Sequence, residues 1–217
     1  MNENFLAILK AALLGEPVSG MENIPPEEWE KIFALAEIHN VLPMIYETVY
    51  RLPAIKEGKC AAFTGSSRMV RYLVAMQTVK TQEFLQLNQR LQDAGIQPLV
   101  VKGLICRNLY PMSDHRISSD EDVLIPEEQF EACHRVIQEF GLQTEADEDE
   151  LKSSYEISYR GQGSALFIEL HKQLFPSGSE VFSDWNRFFE GPLSGLSRKI
   201  SRTVPYLRWD IQTICFI

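Results

Sequence analysis

The chain has 217 residues, of which 45% are hydrophobic and 24% charged, as is usual for a folded globular protein. Its formal net charge of −9 argues against binding nucleic acid through a broad basic surface, because phosphate contacts require clustered lysines and arginines. No run of about 18 apolar residues is present, so the sequence predicts no membrane span. The 4 cysteines are widely spaced and form no CxxC pair, which argues against a zinc site or a disulfide framework and favours a reduced, cytoplasmic setting.

The first part of the chain, residues 1–95, is predicted to be helical. Pro26 and the acidic residues after it mark the start of one helix, whose apolar positions recur at helical spacing. "LPMIYETVYRL" predicts a second, short helix. A long third helix is expected to begin at Ser66 or Ser67 and to end at Gly95. We therefore expect residues 1–95 to form a helical N-terminal domain.

From residue 96 onward the pattern changes to a mixture of strands and helices. "IQPLVVKG" and "DEDVLI" predict buried strands, with a short helix between them in "LICRNLY". "PEEQFEACHRVIQEFG" predicts a helix, "EADEDE" (residues 145–150) a solvated loop, and "SSYEISYRGQGSALFIELHKQL" a hairpin around "GQGS". Residues 96–217 are thus expected to be an α/β domain with a mixed sheet flanked by helices, and the whole chain to be of the α+β class.

The last residues of the chain are unusually apolar. The sequence ends on Cys215, Phe216 and Ile217, after what reads as the start of a helix at Trp209 and Asp210. Chain ends are usually polar or frayed and lie at the surface. We expect either that the domain is truncated at this point or that the apolar end packs against a partner.

Acidic residues lie at the mouth of the second predicted strand. Because side chains alternate across a strand, Asp120 and Asp122 share one face, while Glu121 takes the other. Two carboxylates so close repel each other unless a proton or a cation lies between them, and Mg²⁺ prefers oxygen ligands. The alternative is that Asp120 is a turn residue and Asp122 faces solvent, as in most isolated D-x-D tripeptides.

Two further features favour a nucleotide site. "VVKG" ends in Lys102 and Gly103 before a predicted helix, where backbone N–H groups and the helix N-terminus attract phosphate. In "ALFIELH", Glu169 interrupts an apolar strand, and a buried carboxylate there is costly unless it is paired or bound to metal. If this strand lies beside "DEDVLI", Glu169 completes a triad with Asp120 and Asp122.

A glycine on a strand-to-helix turn, a D-x-D motif and an acidic residue on a later strand resemble the polymerase-beta-like nucleotidyltransferase superfamily. Within it, "VVKGLICRNLY", "R-x-x-x-D-x-D-V-L-I" and "IELH" are similar to the uncharacterised nucleotidyltransferase family, over residues 98–175. Three features depart from the superfamily pattern, and one is the gap from Gly103 to Asp120, which is longer than in most members. Lys-Gly replaces its usual Gly-Ser or Gly-Gly turn, and Glu121 stands where members usually carry an apolar residue.

The resemblance implies the reaction and its metal ligands. It is the two-metal transfer of a nucleoside monophosphate from an NTP, with ATP as the expected donor, to an acceptor hydroxyl with release of pyrophosphate. Asp120 and Asp122 then hold two Mg²⁺ or Mn²⁺ ions, and Glu169 joins them at the ion that activates the acceptor.

Four residues near these carboxylates are candidate contacts to the nucleotide. They are Lys102, Gly103, Arg116 and His171. The charged candidates also have structural alternatives: Arg116 as an ion-pair partner of a nearby carboxylate, Lys102 as a side chain extending from the sheet edge, and His171 as a packed residue at a strand end.

Two other functions remain open from the residues alone. A non-catalytic module of the same fold, which binds a nucleotide or a partner protein, is favoured by Glu121 and by the Lys-Gly turn. A D-x-D glycosyltransferase accounts for the acidic pair but leaves Glu169 unexplained. The acceptor is not specified by any motif, but the negative charge favours a small molecule or a protein hydroxyl over a long nucleic acid.

Overall fold

The computed structural model of the chain describes residues 3–21, 23–56 and 61–188. These residues divide into two compact units. The helical unit contains the described residues within Met1–Thr78 and Arg107–Ile117, and the sheet unit contains those within Val79–Cys106 and from Ser118 onward. The α+β class, with helices at the N-terminus and a mixed sheet after them, is confirmed. The domain boundary predicted between residues 95 and 96 stays a prediction.

The described helices of the first part of the chain are α1 (Glu3–Leu14), α2 (Pro26–Ile38), α3 (Leu42–Val49), α4 (Pro53–Lys56) and α5 (Ala61–Asp93). Proline stands at the start of α2, followed by two glutamates in the first turn, as the sequence predicts. The apolar stripe of α2 is buried in a core of aliphatic and aromatic side chains. The residues of this core include Trp29, Ile32, Phe33, Ile45 and Val49.

Helix α5 does not begin where the sequence predicts. It already includes Ala61, so Ser66 and Ser67 lie inside the helix rather than at its N-cap. The stretch contains weak helix formers, but Phe63 packs against the helical core and Val70 is part of it. Burial of these apolar side chains therefore outweighs the local preference of the serines for a cap.

The sheet unit contains four described strands: β1 (Leu99–Val100), β2 (Glu121–Leu124), β3 (Glu156–Arg160) and β4 (Phe167–His171). Their order in the sheet is β1-β2-β4-β3. Strands β2 and β4 are parallel, whereas β1 and β3 run antiparallel to their neighbours. The predicted hairpin around "GQGS" is confirmed, because β3 and β4 pair on either side of it.

Alternation along the strands separates an apolar face from a polar one. Ile157, Tyr159, Ile168 and Leu170 are buried together with apolar side chains of α7 (Phe130–Phe140), in a core that also includes Val123. The residues between them point to the opposite face, because successive side chains alternate across a strand. On that face the polar side chains of three neighbouring strands come together.

Two segments of the sheet unit differ in secondary structure from their predictions. The helix expected from Pro126 starts as a 3-10 turn, Glu127–Gln129, before α7 begins, and it ends at Gly141 with φ of 105°. Within the predicted loop at 145–150 the chain enters α8 (Glu148–Ser153). Asp147 caps this helix by accepting hydrogen bonds from Asp149 N and Glu150 N, and Glu150 reaches back to Asp147 N. This capping box stabilises a short helix in spite of its charge.

A short helix, α6 (Leu104–Arg107), follows β1 as predicted. No helix among the described residues is both long and apolar enough to cross a membrane. Trp209, Asp210 and the apolar end of the sequence lie outside the described residues, as do the expectations that concern them.

Candidate functional site

The parallel pairing of β2 with β4 brings two predicted site residues together. Asp122 and Glu169 are partners in the register of these strands. His171 lies two residues further along β4 and therefore on the same face. One ligand atom from each of these three side chains lies within 4.8 Å of the others. Two carboxylates and an imidazole at this spacing are a donor set that could hold a divalent metal ion.

Asp122 is the most enclosed member of the group, with 2% of its side chain exposed. Its Oδ1 accepts a hydrogen bond from Lys102 Nζ at 3.0 Å and lies 3.2 Å from His171 Nε2. Burial raises the pKa of Asp122, but the hydrogen bonds from His171 and Lys102 and their charges outweigh it, so the pKa is lowered overall. The carboxylate is thus held in its charged form.

The pKa of Glu169, unlike that of Asp122, is raised overall. Its half-buried carboxyl loses hydration, which raises its pKa, and the negative charges of Glu156, Asp120 and Asp122 raise it further. His171 opposes this shift without cancelling it. Glu169 is therefore the carboxylate of this site that holds a proton most readily.

Asp120 immediately precedes β2 and is not a member of the three-residue group. Its Oδ1 accepts a hydrogen bond from Ser119 Oγ at 2.8 Å. Its charge acts on both Lys102 and Glu169, raising the pKa of each. The predicted triad of Asp120, Asp122 and Glu169 thus differs from the group with shared ligand-atom spacing, in which His171 stands in place of Asp120.

Glu156 is a neighbour of the candidate site that the sequence analysis did not name. It pairs with His171 across β3 and β4, and its Oε2 lies 3.6 Å from His171 Nδ1. The imidazole ring, 7% exposed, thus has one carboxylate at each nitrogen, Asp122 and Glu156. At 3.6 Å the contact with Glu156 is longer than a hydrogen bond, so it adds a second negative charge beside the imidazole. The register of the predicted hairpin indicates that Glu156 lies beside His171, because it aligns residues 156 and 171.

Lys102 and Gly103 form the turn between β1 and α6. Partial burial lowers the pKa of Lys102, but the hydrogen bond to Asp122 and the charges of nearby carboxylates raise it above its usual value. Gly103 has φ of +49°. The next backbone N–H, from Leu104, donates to Glu121 Oε2 at 2.7 Å. This N–H is therefore hydrogen-bonded to a carboxylate of the protein, and contact of Gly103 with a nucleotide phosphate stays a prediction.

Arg116 belongs to the helical unit, whereas the other predicted site residues belong to the sheet unit. Its guanidinium carbon lies 5.9 Å from the centroid of the Tyr110 ring, within the range of a cation–π contact. Contact of Arg116 with a nucleotide stays a prediction.

A groove of about 800 Å³ runs beside β3 in the sheet unit, lined in part by Glu156, Ser158 and Arg160. Ser158 is the register partner of Glu169, so the groove borders the strand next to the acidic group. The guanidinium of Arg160 lies 4.0 Å from the centroid of the Phe167 ring, which also lines the groove. A volume of this size suits a small-molecule site.

Comparisons with known proteins bear on this arrangement. The sequence model of the uncharacterised nucleotidyltransferase family matches residues 25–209. No curated protein and no solved structure matches the chain. The family match begins just before α2 and spans the helices from there on, together with the sheet that carries Asp122 and Glu169. The chain therefore belongs to the uncharacterised nucleotidyltransferase family, which supports a transferase that carries out nucleotidyl transfer.

Proposed function

We propose that this member of the uncharacterised nucleotidyltransferase family transfers a nucleoside monophosphate from an NTP to an acceptor hydroxyl, with Mg²⁺ or Mn²⁺, and releases pyrophosphate. ATP is the expected donor. The observation that carries the proposal is the register of Asp122 with Glu169 on adjacent parallel strands, with His171 completing a group of ligand atoms within 4.8 Å. The family match supports the reaction class.

The donor set fits a divalent cation. Carboxylate oxygens suit Mg²⁺ and Mn²⁺, and an imidazole is a better ligand for Mn²⁺ than for Mg²⁺. Asp122, Glu169 and His171 would hold the ion, and we propose Asp120 as a further ligand on the strength of the sequence motif. When bound, the ion supplies positive charge that stabilises the triphosphate and the departing pyrophosphate.

The residues of the chain have separate tasks in this proposal. Lys102 carries a full positive charge and moves from Asp122 to a phosphate oxygen of the nucleotide. Glu169, which faces the proposed acceptor groove across the register of β3 and β4, accepts the proton of the acceptor hydroxyl. The acceptor oxygen then bonds to the α-phosphorus, the bond to the bridging oxygen breaks, and its electrons leave with pyrophosphate. Gly103, Arg116 and His171 remain proposed contacts to the nucleotide.

The groove beside β3 is the proposed acceptor site. Ser158 lies opposite Glu169 in the register, so an acceptor in the groove has a route to the proposed base. Glu145, Glu150 and Glu156 line the groove together with Arg160. Excess negative charge there, and −9 over the whole chain, favours a small molecule or a protein hydroxyl over a long nucleic acid.

The test is incubation of the full chain with each labelled NTP and Mg²⁺ or Mn²⁺, followed by a search for label on the protein and in a cell extract. We expect transfer with at least one NTP and its loss in Asp122→Asn and in Glu169→Gln. Glu128→Gln, which neutralises an exposed carboxylate of the same unit, is the matched control and should retain full transfer. Transfer that survives in both site variants contradicts the proposal.

A non-catalytic nucleotide-binding module is the second candidate function. It is favoured by the contacts of Asp122, whose Oδ1 already has Lys102 and His171 as partners. It predicts that NTP binding, measured by calorimetry, is retained in the unmutated chain while no label is transferred with any NTP or metal.

A further inference from the structure

Glu121 is the middle carboxylate of the D-x-D segment and has no part in the reaction proposed above. It alternates to the opposite face of β2 from Asp122, and its side chain is completely buried, with 0% exposed. Its Oε1 lies 3.5 Å from the ammonium of Lys80, which is itself 5% exposed. Residues with such charges are almost never fully buried unless they are paired. Because both charges of this pair are buried between α5 and β2, the pair does not serve solubility and needs another explanation.

The other oxygen of Glu121 holds the Lys102–Gly103–Leu104 turn. Oε2 accepts the Leu104 N–H at 2.7 Å. It also packs so tightly on Gly103 that a Cβ at this position would lie 1.9 Å from it. Real Cβ atoms do not approach an oxygen so closely, so the carboxylate occupies the space that a side chain at residue 103 would need.

Lys80 ties a second segment to the same carboxylate. Its Nζ donates to the Ser118 carbonyl oxygen at 3.1 Å, just before the acidic segment begins. The pair of Glu121 and Lys80 thus binds both the turn that carries Lys102 and the loop that leads into β2. On the far side of the turn, Lys102 Nζ lies 3.0 Å from Asp122 Oδ1.

We propose that the buried Glu121–Lys80 pair fixes the Lys102–Gly103–Leu104 turn and thereby holds the Lys102 ammonium at the candidate metal site, which makes Glu121 a positioning residue. The link to nucleotidyl transfer rests on the proposed function. The fixing of the turn does not rest on the proposed function, because it depends only on the contacts of Glu121 and Lys80.

An amide cannot replace the carboxylate at this position. Glu121 receives the Leu104 N–H on one oxygen and faces the Lys80 ammonium with the other. In Glu121→Gln, the single carbonyl oxygen serves one of these donors, and the NH₂ group is turned toward the other. Either the Leu104 N–H or the Lys80 ammonium then loses the oxygen of residue 121 as an acceptor, and the turn is expected to shift.

The first experiment follows Lys102 by NMR in protein labelled with ¹³C at the lysine Cε atoms, without metal or nucleotide. The signal of Lys102 is the one missing in Lys102→Met. We expect this signal to move in Glu121→Gln. The matched control is Glu83→Gln on the same helix as Lys80, where the carboxylate accepts hydrogen bonds from Ser164 Oγ and Ala165 N in the same unit. An unmoved Lys102 signal in Glu121→Gln overturns the inference.

Should Glu121→Gln fail to fold, Lys80→Met combined with Glu121→Met removes both charges while keeping similar volumes. Exchanges of this kind for a buried ion pair usually preserve the fold. The Leu104 N–H loses its acceptor in this variant as well. The Lys102 signal is again expected to move, and an unmoved signal again overturns the inference.

The second experiment links the turn to the metal site by Mn²⁺ binding, measured by electron paramagnetic resonance without nucleotide. Because the Lys102 ammonium competes with a cation for Asp122 Oδ1, Lys102→Met should raise the Mn²⁺ affinity. Glu121→Gln should raise it too, by no more than Lys102→Met does, because it acts by displacing the same ammonium from Asp122 Oδ1. It should have no further effect in the Lys102→Met background.

The outcomes separate the two proposals. Equal effects of Glu121→Gln in both backgrounds, or a lowered Mn²⁺ affinity, mean that Glu121 acts on the scaffold as a whole and not through Lys102. If the unmutated chain binds neither Mn²⁺ nor an NTP, the proposed function fails, and the positioning by Glu121 is decided by the NMR signal of Lys102 alone.

Discussion

Asp122→Asn removes one charge from the centre of the candidate site while it keeps the shape of the side chain. The carboxylate is 2% exposed, and its Oδ1 lies 3.0 Å from Lys102 Nζ and 3.2 Å from His171 Nε2. A hydrogen bond to a charged group contributes about 1.5–3 kcal/mol, of which the asparagine oxygen retains a part. We therefore expect the free energy of unfolding without metal to fall by about 1–3 kcal/mol.

The pH dependence of this loss has a defined sign. Because the pKa of Asp122 is lowered by folding, its contribution to stability is present above the ordinary aspartate value of 3.8 and is lost as the pH falls through the folded-state pKa. Denaturation curves of the two proteins should thus differ at neutral pH and converge in acid. A constant difference down to strongly acidic pH would contradict this assignment of the charge.

The stabilisation by metal and nucleotide is measured separately from the loss of unfolding free energy in Asp122→Asn. A ligand at 100 times its Kd stabilises the native state by about 2.7 kcal/mol. Thermal melts of the unmutated chain should therefore rise on addition of Mn²⁺ and ATP, and the rise should disappear in Asp122→Asn. Glu128→Gln should keep it. If Asp122→Asn shows the full metal-dependent rise, the assignment of Asp122 as a metal ligand is refuted.

Three further predictions concern other parts of the chain. Gly103→Ala should lower the free energy of unfolding in urea by at least about 1 kcal/mol, because residue 103 has φ of +49° and its new Cβ meets the Glu121 carboxylate; an unchanged midpoint would contradict this. Burial lowers the pKa of His115 in spite of the charges of Glu47 and Asp114, so its contribution to stability is present above about pH 6.5 and is lost as the pH falls; His115→Asn should flatten the stability curve between about pH 5 and 7. Burial raises the pKa of Cys133 to about 12, so mass spectrometry should find its thiol unalkylated by iodoacetamide at about pH 8 until the protein unfolds.

Local patterns in the sequence were sufficient for most of the elements. Alternation predicted the β3–β4 hairpin, and Pro26 and Gly141 predicted the start of one helix and the end of another. The error at residues 145–150 was avoidable, because Asp147 and Glu150 have the spacing of a capping box. The early start of α5 could not be predicted from the local sequence, because it depends on packing of Phe63 and Val70 against other helices.

The candidate site was predictable only in part, because its remaining contacts join distant segments. The spacing of Asp120, Asp122 and Glu169 suggested carboxylates that repel each other unless a proton or a cation lies between them, yet Lys102 and His171 contact Asp122 in the folded chain. Which strand lies beside β2 is a tertiary property that alternation does not specify. The pairing of Glu121 with Lys80 likewise joins β2 to a helix 41 positions earlier, which no local motif indicates.

The most direct measurement compares ATP labelled at the α-phosphorus with ATP labelled at the γ-phosphorus, each incubated with the chain, Mn²⁺ and a cell extract. Nucleotidyl transfer predicts that the α-label appears on an acceptor, that the γ-label leaves in pyrophosphate, and that both events stop in Glu169→Gln. Transfer of the γ-label to the acceptor, or transfer of the α-label by Glu169→Gln at the rate of the unmutated chain, would contradict the account.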